Sequence, residues 1–476
     1  MKKLLYLPAL VFLLLTMSCE EQLDINIDPL AASSADPNAV LPYILVQYSY
    51  RHSSEMTMRT LDVYQHTSYT VGSPREGKTS NNTTGNTWRN LYQQVMGNSA
   101  RIEADAKEAG PASNNIAAIA VILKALAFHD ATLAWEYVPF TQALNAIDYP
   151  TPEFDDQETV LHGIVDYLDE AIALIDAMPA TGNFNVTQGD LIYGGDMTKW
   201  RKYANSLKLR VLMIIRNKDT SVDAEIIQTL GEPLITSSDD AMLLKYPGTP
   251  DNTHAFFRYL QNAGATSNET YNFWGPSAAI RTLLEGDPRL ELWCVDGTLG
   301  GYLPSNIGVR PNATRARYSD NVFRADRPDI WFLPAEVSLY RAELAILGVT
   351  AGDANAAYRD GVTKSLKFWG QDIPGAIKTL SDTEISDYVN TLTNINTLTP
   401  TEALTNIWEE QYLDSFLRVV EAWTHVRRTK VPDIQAAPAS KITTMLKRFT
   451  YPTAEIGANP NTPPNPATDV PHWFEK

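Results

Sequence analysis

The amino-acid sequence predicts a mostly α-helical protein, a scaffold of tetratricopeptide-like helical pairs with an irregular, loop-rich subdomain set into it. The first observation is the stretch from Asp196 to Asn217, DMTKWRKYANSLKLRVLMIIRN. In it Trp200, Tyr203, Ala204, Leu207, Val211, Ile214 and Ile215 recur at steps of three and four. That spacing lines one face of an α-helix long enough to cross a domain. The second is that other stretches with the same period lie in neighbouring pairs joined by short turns, so each hides its apolar face only against its neighbours. The third is the loss of that period between about 220 and 333, where turn-forming pairs become dense.

Taken in order, the chain opens with Lys2 and Lys3 and an apolar run from Leu4 to Leu15, the length of a secretory signal and too short for a spanning helix. Thr16-Met17-Ser18-Cys19 reads as a lipoprotein cleavage site, with residues 1–18 the signal peptide and Cys19 the lipid-bearing first residue. Thr16 and Met17 depart from the commonest form of such a site. The alternative is an ordinary signal peptide that leaves Cys19 a free thiol. A first helix is expected from Asn38 to about Ser53, and a second from about Asn86 to Lys107, with Trp88 starting its buried stripe and Gly110-Pro111 breaking it.

The Ala- and Leu-rich run from Asn114 to Tyr137 forms the next helix, and Gln157 to about Ala177 another, before the central one. Asp196 is placed to cap that central helix, and Lys199, Lys202, Lys208, Arg210 and Arg216 fall mostly between its apolar positions, with charges expected to reach water. Regularity returns at Pro334. Four pairs result: about 87–108 with 114–137, 157–177 with 196–217, 335–347 with 353–369, and 401–413 with 415–428. Residues 446–476 are expected to form a C-terminal strap on this single domain, 19–476.

Composition narrows the function classes. The net charge is −17, and −19 without residues 1–18, whose only charges are Lys2 and Lys3. Such an acidic chain is a poor electrostatic partner for nucleic acid or an anionic membrane surface. Two cysteines, Cys19 and Cys294, allow no disulfide framework and no cysteine-based zinc site. No H-E-x-x-H or G-x-S-x-G pattern occurs, and no metal or cofactor is expected. Gly72 to Thr79 fits the phosphate-binding loop pattern literally, but Ser80 to Thr87, SNNTTGNT, disfavours the helix that loop needs. The acidic neighbours Asp155-Asp156, Asp239-Asp240 and Glu409-Glu410 are read as solvated surface rather than a glycosidase pair, because adjacent side chains point apart. No enzyme activity is expected.

Binding residues concentrate on loops held by a rigid scaffold. Two stretches fit: Tyr64 to Trp88, polar and Gly/Asn-rich, with Tyr69 and Arg75, and Asn262 to Arg281, with Asn268, Tyr271, Asn272, Phe273 and Trp274. Flat rings pack on the apolar faces of sugars, while amide and guanidinium groups take hydroxyls. Ring dominance with few charges suits a neutral glycan, and the same set suits a peptide. The ligand-binding candidates are therefore Tyr69, Arg75, Asn268, Tyr271, Phe273 and Trp274. Trp88 is read as core, and Trp423, Arg427 and Arg428 as fold residues sharing a helical face.

Several of these segments resemble one family. DLIYGGDMTKWRKYANSLKLR (190–210), LDINIDPLAAS (23–33), YPTPEFDDQETVLHGIVDYLDEAIALID (149–176), Asp287-Pro288-Arg289-Leu290, the Glu421–Thr429 stretch and LKRFTYPTAEIGAN (446–459) are similar to segments of the SusD/RagB lipoproteins, most closely their second SusD-like subgroup. The resemblance covers nearly the whole mature chain. It implies four tetratricopeptide-like units carrying an irregular ligand-binding elaboration. It also implies an outer-membrane, lipid-anchored protein facing the cell exterior, which binds an oligosaccharide or peptide and delivers it to a SusC-type TonB-dependent transporter. The alternative is a surface scaffold for protein partners with no small ligand.

Overall fold

The computed structural model describes residues 36–50, 56, 63–69, 81–262, 274–295, 316–434 and 444–475. Cys19 and the preceding signal, Arg75 and the rest of the phosphate-loop match, and Asn268, Tyr271 and Phe273 lie outside them. The described chain is mostly helical. Its N-terminal half comprises α1 (Pro37–Tyr50), α2 (Asn81–Arg89), a π-helical stretch (Asn90–Gly97) running on into α3 (Asn98–Ala109), α4 (Asn114–Trp135), α5 (Gln157–Asp176) and α6 (Met197–Arg216). The C-terminal half comprises α7 (Pro334–Ile346), α8 (Ala354–Lys367), α9 (Pro400–Asp414) and α10 (Val419–Thr429). The four expected pairs are present as α3 with α4, α5 with α6, α7 with α8, and α9 with α10.

Local chemistry starts these helices where the sequence places them. Asp156 accepts from Thr159 N, Asp196 from Thr198 N and Lys199 N, and Asp353 from Asn355 N and Ala356 N, each satisfying backbone donors that the first turn leaves open. Thr399 and Glu402 form a reciprocal capping box at α9. Between α7 and α8 the small residue is Gly361: a Cβ there would sit 2.7 Å from Leu339 Cδ2, so a larger residue would force the Leu339 side chain or the two helices to shift.

Two expectations are corrected. The second helix begins at Asn81, not near Asn86, so the run expected to disfavour helix is helical. Thr84 and Thr87 are fully buried within it, and that packing outweighs weak propensity. Within α6, Lys208 and Arg210 do not reach water: Arg210 is 2 % exposed. α6 is enclosed on one side by α5 and on the other by the C-terminal half, where Arg210 meets Glu336 and Glu421. The first helix is helical through Tyr50, and the rest of its expected span lies outside the described residues.

α4 is the centre of the N-terminal half, buried from Asn115 to Trp135. By length and composition it would cross a membrane, but its apolar window is wholly covered by the fold. The expected strap is ordered from 444 to 475 and stitches the halves together. Phe449 N donates to Ala134 O (2.7 Å), Trp423 Nε1 to Leu446 O (2.8 Å) and Asn217 Nδ2 to Phe474 O (2.7 Å). The irregular region between α6 and α7 contains short helices and most of the strands, which among the described residues form three two-stranded antiparallel ladders. These are β1 (Thr67–Tyr69) with β3 (Trp274–Pro276), β2 (Met242–Leu244) with β6 (Asp329–Phe332), and β4 (Cys294–Val295) with β5 (Arg317–Tyr318).

Candidate functional site

The first ladder brings the two candidate loops together. In its register Thr67 faces Pro276, Ser68 faces Gly275 and Tyr69 faces Trp274. The last residue of β1 and the first of β3 are thus direct cross-strand neighbours. Of the candidate residues, Tyr69 and Trp274 lie among the described residues, and the ladder makes their backbones cross-strand partners.

The other end of that ladder is fixed to a buried aromatic plate. His66 is fully buried, with ring centroids 4.4 Å from Tyr412, 4.8 Å from Tyr64 and 5.5 Å from Phe416. Phe416 stacks on Trp293 at 4.0 Å. Tyr318 OH donates to His66 O and Ser277 Oγ to Gln65 O, while Tyr412 OH donates to Tyr64 O at 2.8 Å. His66 Nε2–H donates to Tyr412 O at 3.1 Å and Nδ1 accepts from Leu417 N, which assigns a neutral ring with both nitrogens used. Leu417 is held at φ 61°, in the left-handed region, to aim that amide at the ring. These contacts hold the backbone at this end of the ladder rigidly against the core.

Burial lowers the His66 pKa to about 3. The unfolded chain titrates this ring near 6.5, so below that pH the unfolded state binds a proton that the folded state refuses. The stability from a neutral His66 is therefore full above about pH 6.5 and is lost as pH falls toward 3. His66→Gln should flatten urea-unfolding stability against pH between about 6 and 4 by up to about 1.4 kcal/mol per pH unit. An unchanged slope would show that the ring titrates normally in the fold.

A groove of about 550 Å³ lies between α2 and its π-helical continuation, the 139–152 segment and the strap. Its walls include Trp88, Tyr92, Pro139, Pro152, Pro452 and Asn459. Sequence reading missed it because three distant segments build it; the prolines flanking aromatic positions are its one sequence signal. Trp88 itself is core, as read: its ring lies nearly parallel to Phe154 at 6.0 Å and its Nε1 donates to Glu455 Oε2 at 3.2 Å. Trp423, Arg427 and Arg428 are likewise structural. The Arg427 guanidinium lies 4.0 Å over the Trp423 ring, and Arg428 pairs with buried Glu343.

The acidic neighbours do separate jobs. Asp155 accepts from Phe140 N and Thr141 N, whereas Asp156 caps α5. Asp240 pairs with Lys202, while Lys199 Nζ donates to the backbone carbonyl of Asp239. Asp240 and Glu410 are corrections to the solvated-surface reading: Asp240 is buried beside Lys202, and Glu410 is buried against Arg289, which a second carboxylate, Asp287, also holds. Among the described residues, Glu158, His162 and Asp219 bring ligand atoms within 4.8 Å of one another, although Asp219 already accepts from Ser221 N and Oγ. The helix at Asn81 supplies one element of a phosphate-binding loop, but β1 pairs antiparallel with β3 in a two-stranded ladder, not with the parallel strands such a loop follows.

Comparison with known proteins gives one consistent answer. A SusD-like family model, described as starch-binding and associating with the outer membrane, matches residues 29–452. A solved structure named a chitin-binding protein superposes with a TM-score of 0.78 at 22 % identity, covering 92 % of this chain and 100 % of that one. A SusD homologue from Bacteroides uniformis gives 0.76 at 20 % identity, covering 92 % and 99 %. A chitin-binding SusD homologue from Flavobacterium johnsoniae gives 0.71 at 18 % identity, covering 92 % and 97 %. No protein of curated function matches the chain.

Proposed function

The chain belongs to the SusD-like family of proteins associated with the outer membrane, and from that premise we propose that it is a surface-exposed lipoprotein, anchored through Cys19, that captures an oligosaccharide and delivers it to a SusC-type TonB-dependent transporter. The observation that carries the binding role is the Tyr69–Trp274 register, which tethers two ring- and amide-bearing stretches at one ladder end. Arg75, Asn268, Tyr271 and Phe273 complete the proposed site from the adjoining segments. Rings stack on the C–H faces of sugar units, and Arg and Asn side chains meet the hydroxyls. The chemistry is reversible binding with no bond broken, in keeping with the structural roles of Asp155, Asp156, Asp240 and Glu410. Two solved relatives carry chitin-binding names, which makes chito-oligosaccharides the first glycans to try, with malto-oligosaccharides and peptide digests beside them.

Isothermal calorimetry on the chain lacking residues 1–19 tests this reading. Saturable heat with one ligand class is expected, weakened roughly tenfold or more by Tyr69→Ala or Trp274→Ala, about 1.4 kcal/mol each. Binding that survives both substitutions would move the site away from the ladder. Heat with peptides alone would replace the glycan by a peptide cargo. Silence across the panel would leave a protein-binding scaffold.

A further inference from the structure

Between the two helical halves lies a small chamber of about 40 Å³. His129 of α4, Arg210 of α6, Glu336 of α7, Asp414 at the end of α9, and Arg418 are among its walls. Most polar atoms there are paired. Arg210 gives Nε to Glu336 Oε1 (2.7 Å), Nη1 to Glu421 Oε1 (2.8 Å) and Nη2 to Trp331 O (2.9 Å). Arg418 gives Nη1 to Glu336 and Nη2 to Asp414 Oδ2 (2.6 Å). On the chamber's lining, His129 Nε2, Asp414 Oδ1 and Arg418 Nε have no hydrogen-bond partner among the described residues. Each of these residues is 1 % exposed. An unpaired buried polar atom is costly to fold around, so three on the lining of one chamber point to an occupant.

We propose that the chamber is a binding site for resident water, a cluster of about two molecules that completes the ion network joining the N-terminal helical pairs to the C-terminal ones. The donor and acceptor pattern selects water. His129 Nδ1 lies 3.0 Å from Asp130 Oδ1, whose other oxygen accepts from Tyr48 OH. That carboxylate assigns the proton to Nδ1, so Nε2 presents a lone pair to the chamber. Asp414 Oδ1 presents a second acceptor and Arg418 Nε–H the one donor. A bare anion would face two acceptors, a bare cation would face an N–H, and an apolar occupant would leave all three unpaired. Water both donates and accepts. The volume exceeds the roughly 10–15 Å³ that one water needs, leaving room for a short hydrogen-bonded chain.

A high-resolution crystal structure of the mature chain tests the proposal, with parallel crystals soaked in bromide and pressurised with xenon. The expected result is ordered water within about 2.7–3.2 Å of His129 Nε2, Asp414 Oδ1 and Arg418 Nε, with neither heavy atom in the chamber. A bromide peak would make it an anion site and a xenon peak a dry apolar cavity. A chamber without water density would mean that the three atoms stay unpaired. Any of the three overturns the assignment.

Discussion

Replacing Glu336 by alanine is expected to destabilise the protein by about 3–5 kcal/mol, the cost of stripping a buried charge of its partner. Glu336 is 6 % exposed and takes hydrogen bonds from Arg210 through both carboxylate oxygens, from Arg418 and from Tyr340 OH. Burial alone would push its carboxyl upward, but the two guanidiniums outweigh that and hold it below the usual glutamate range. Asp414, a few ångströms along the same network, shows the opposite balance: burial and the Glu336 charge raise it to about 6 against the pull of Arg418. Alanine at 336 would leave Arg210 with Glu421 and the Trp331 carbonyl only, and Arg418 with Asp414 only.

Urea unfolding of Glu336→Ala should show a large fall in midpoint. Pairing it with Arg210→Met should recover part of the loss, because the orphaned guanidinium goes with it. A double variant no better than the sum of the single ones would mean that Glu336 acts through packing rather than charge. Binding by the loop site at low temperature should be unchanged in either variant that still folds.

How much of this could be read from the residues depends on how far apart the interacting partners lie. The helices with a clean three-and-four period, α4 to α8, stand where the sequence places them, because periodicity and caps are local properties. The burial of Arg210 was not legible. Its partners lie 126 and 211 residues away, and only the docking of the two halves turns a surface arginine into a core one. The helix at Asn81–Arg89 was hidden for the same reason: its propensity is poor and its stability comes from burying Thr84, Thr87 and Trp88. The helix Asp382–Thr391 carried a readable signal, the Ser381-to-Glu384 capping box, in a stretch that gave no strong apolar stripe. At the candidate site, residue types were visible but their meeting was not. Strands of three residues show no alternation, and the residues packed beside this ladder, such as Tyr412 against His66, lie far off in the chain.

Trp423→Ala should cost a further large amount, about 3–5 kcal/mol, through a different mechanism. The indole is fully buried where α10, the strap and the C-terminal residues converge. Its Nε1 donates to Leu446 O, its ring lies 5.3 Å from Phe449, and Arg427 is stacked 4.0 Å above it. Removing it leaves a cavity, an unpaired carbonyl and a buried guanidinium without its π-face. Burial already pushes the Arg427 pKa down to about 9, against the charge of Glu475. A cation this reluctantly held should be sensitive to any loosening of its surroundings. Trp423→Phe keeps a ring under Arg427 and loses chiefly the hydrogen bond, so it should cost about 1–2 kcal/mol. The ratio of the two, read from urea midpoints, separates packing from hydrogen bonding. If instead Trp423→Ala unfolded like the parent protein but lost ligand heat, this residue would belong to the binding site. Its position 23 residues from Leu446, on the seam that ties the strap to α10, argues for the first outcome.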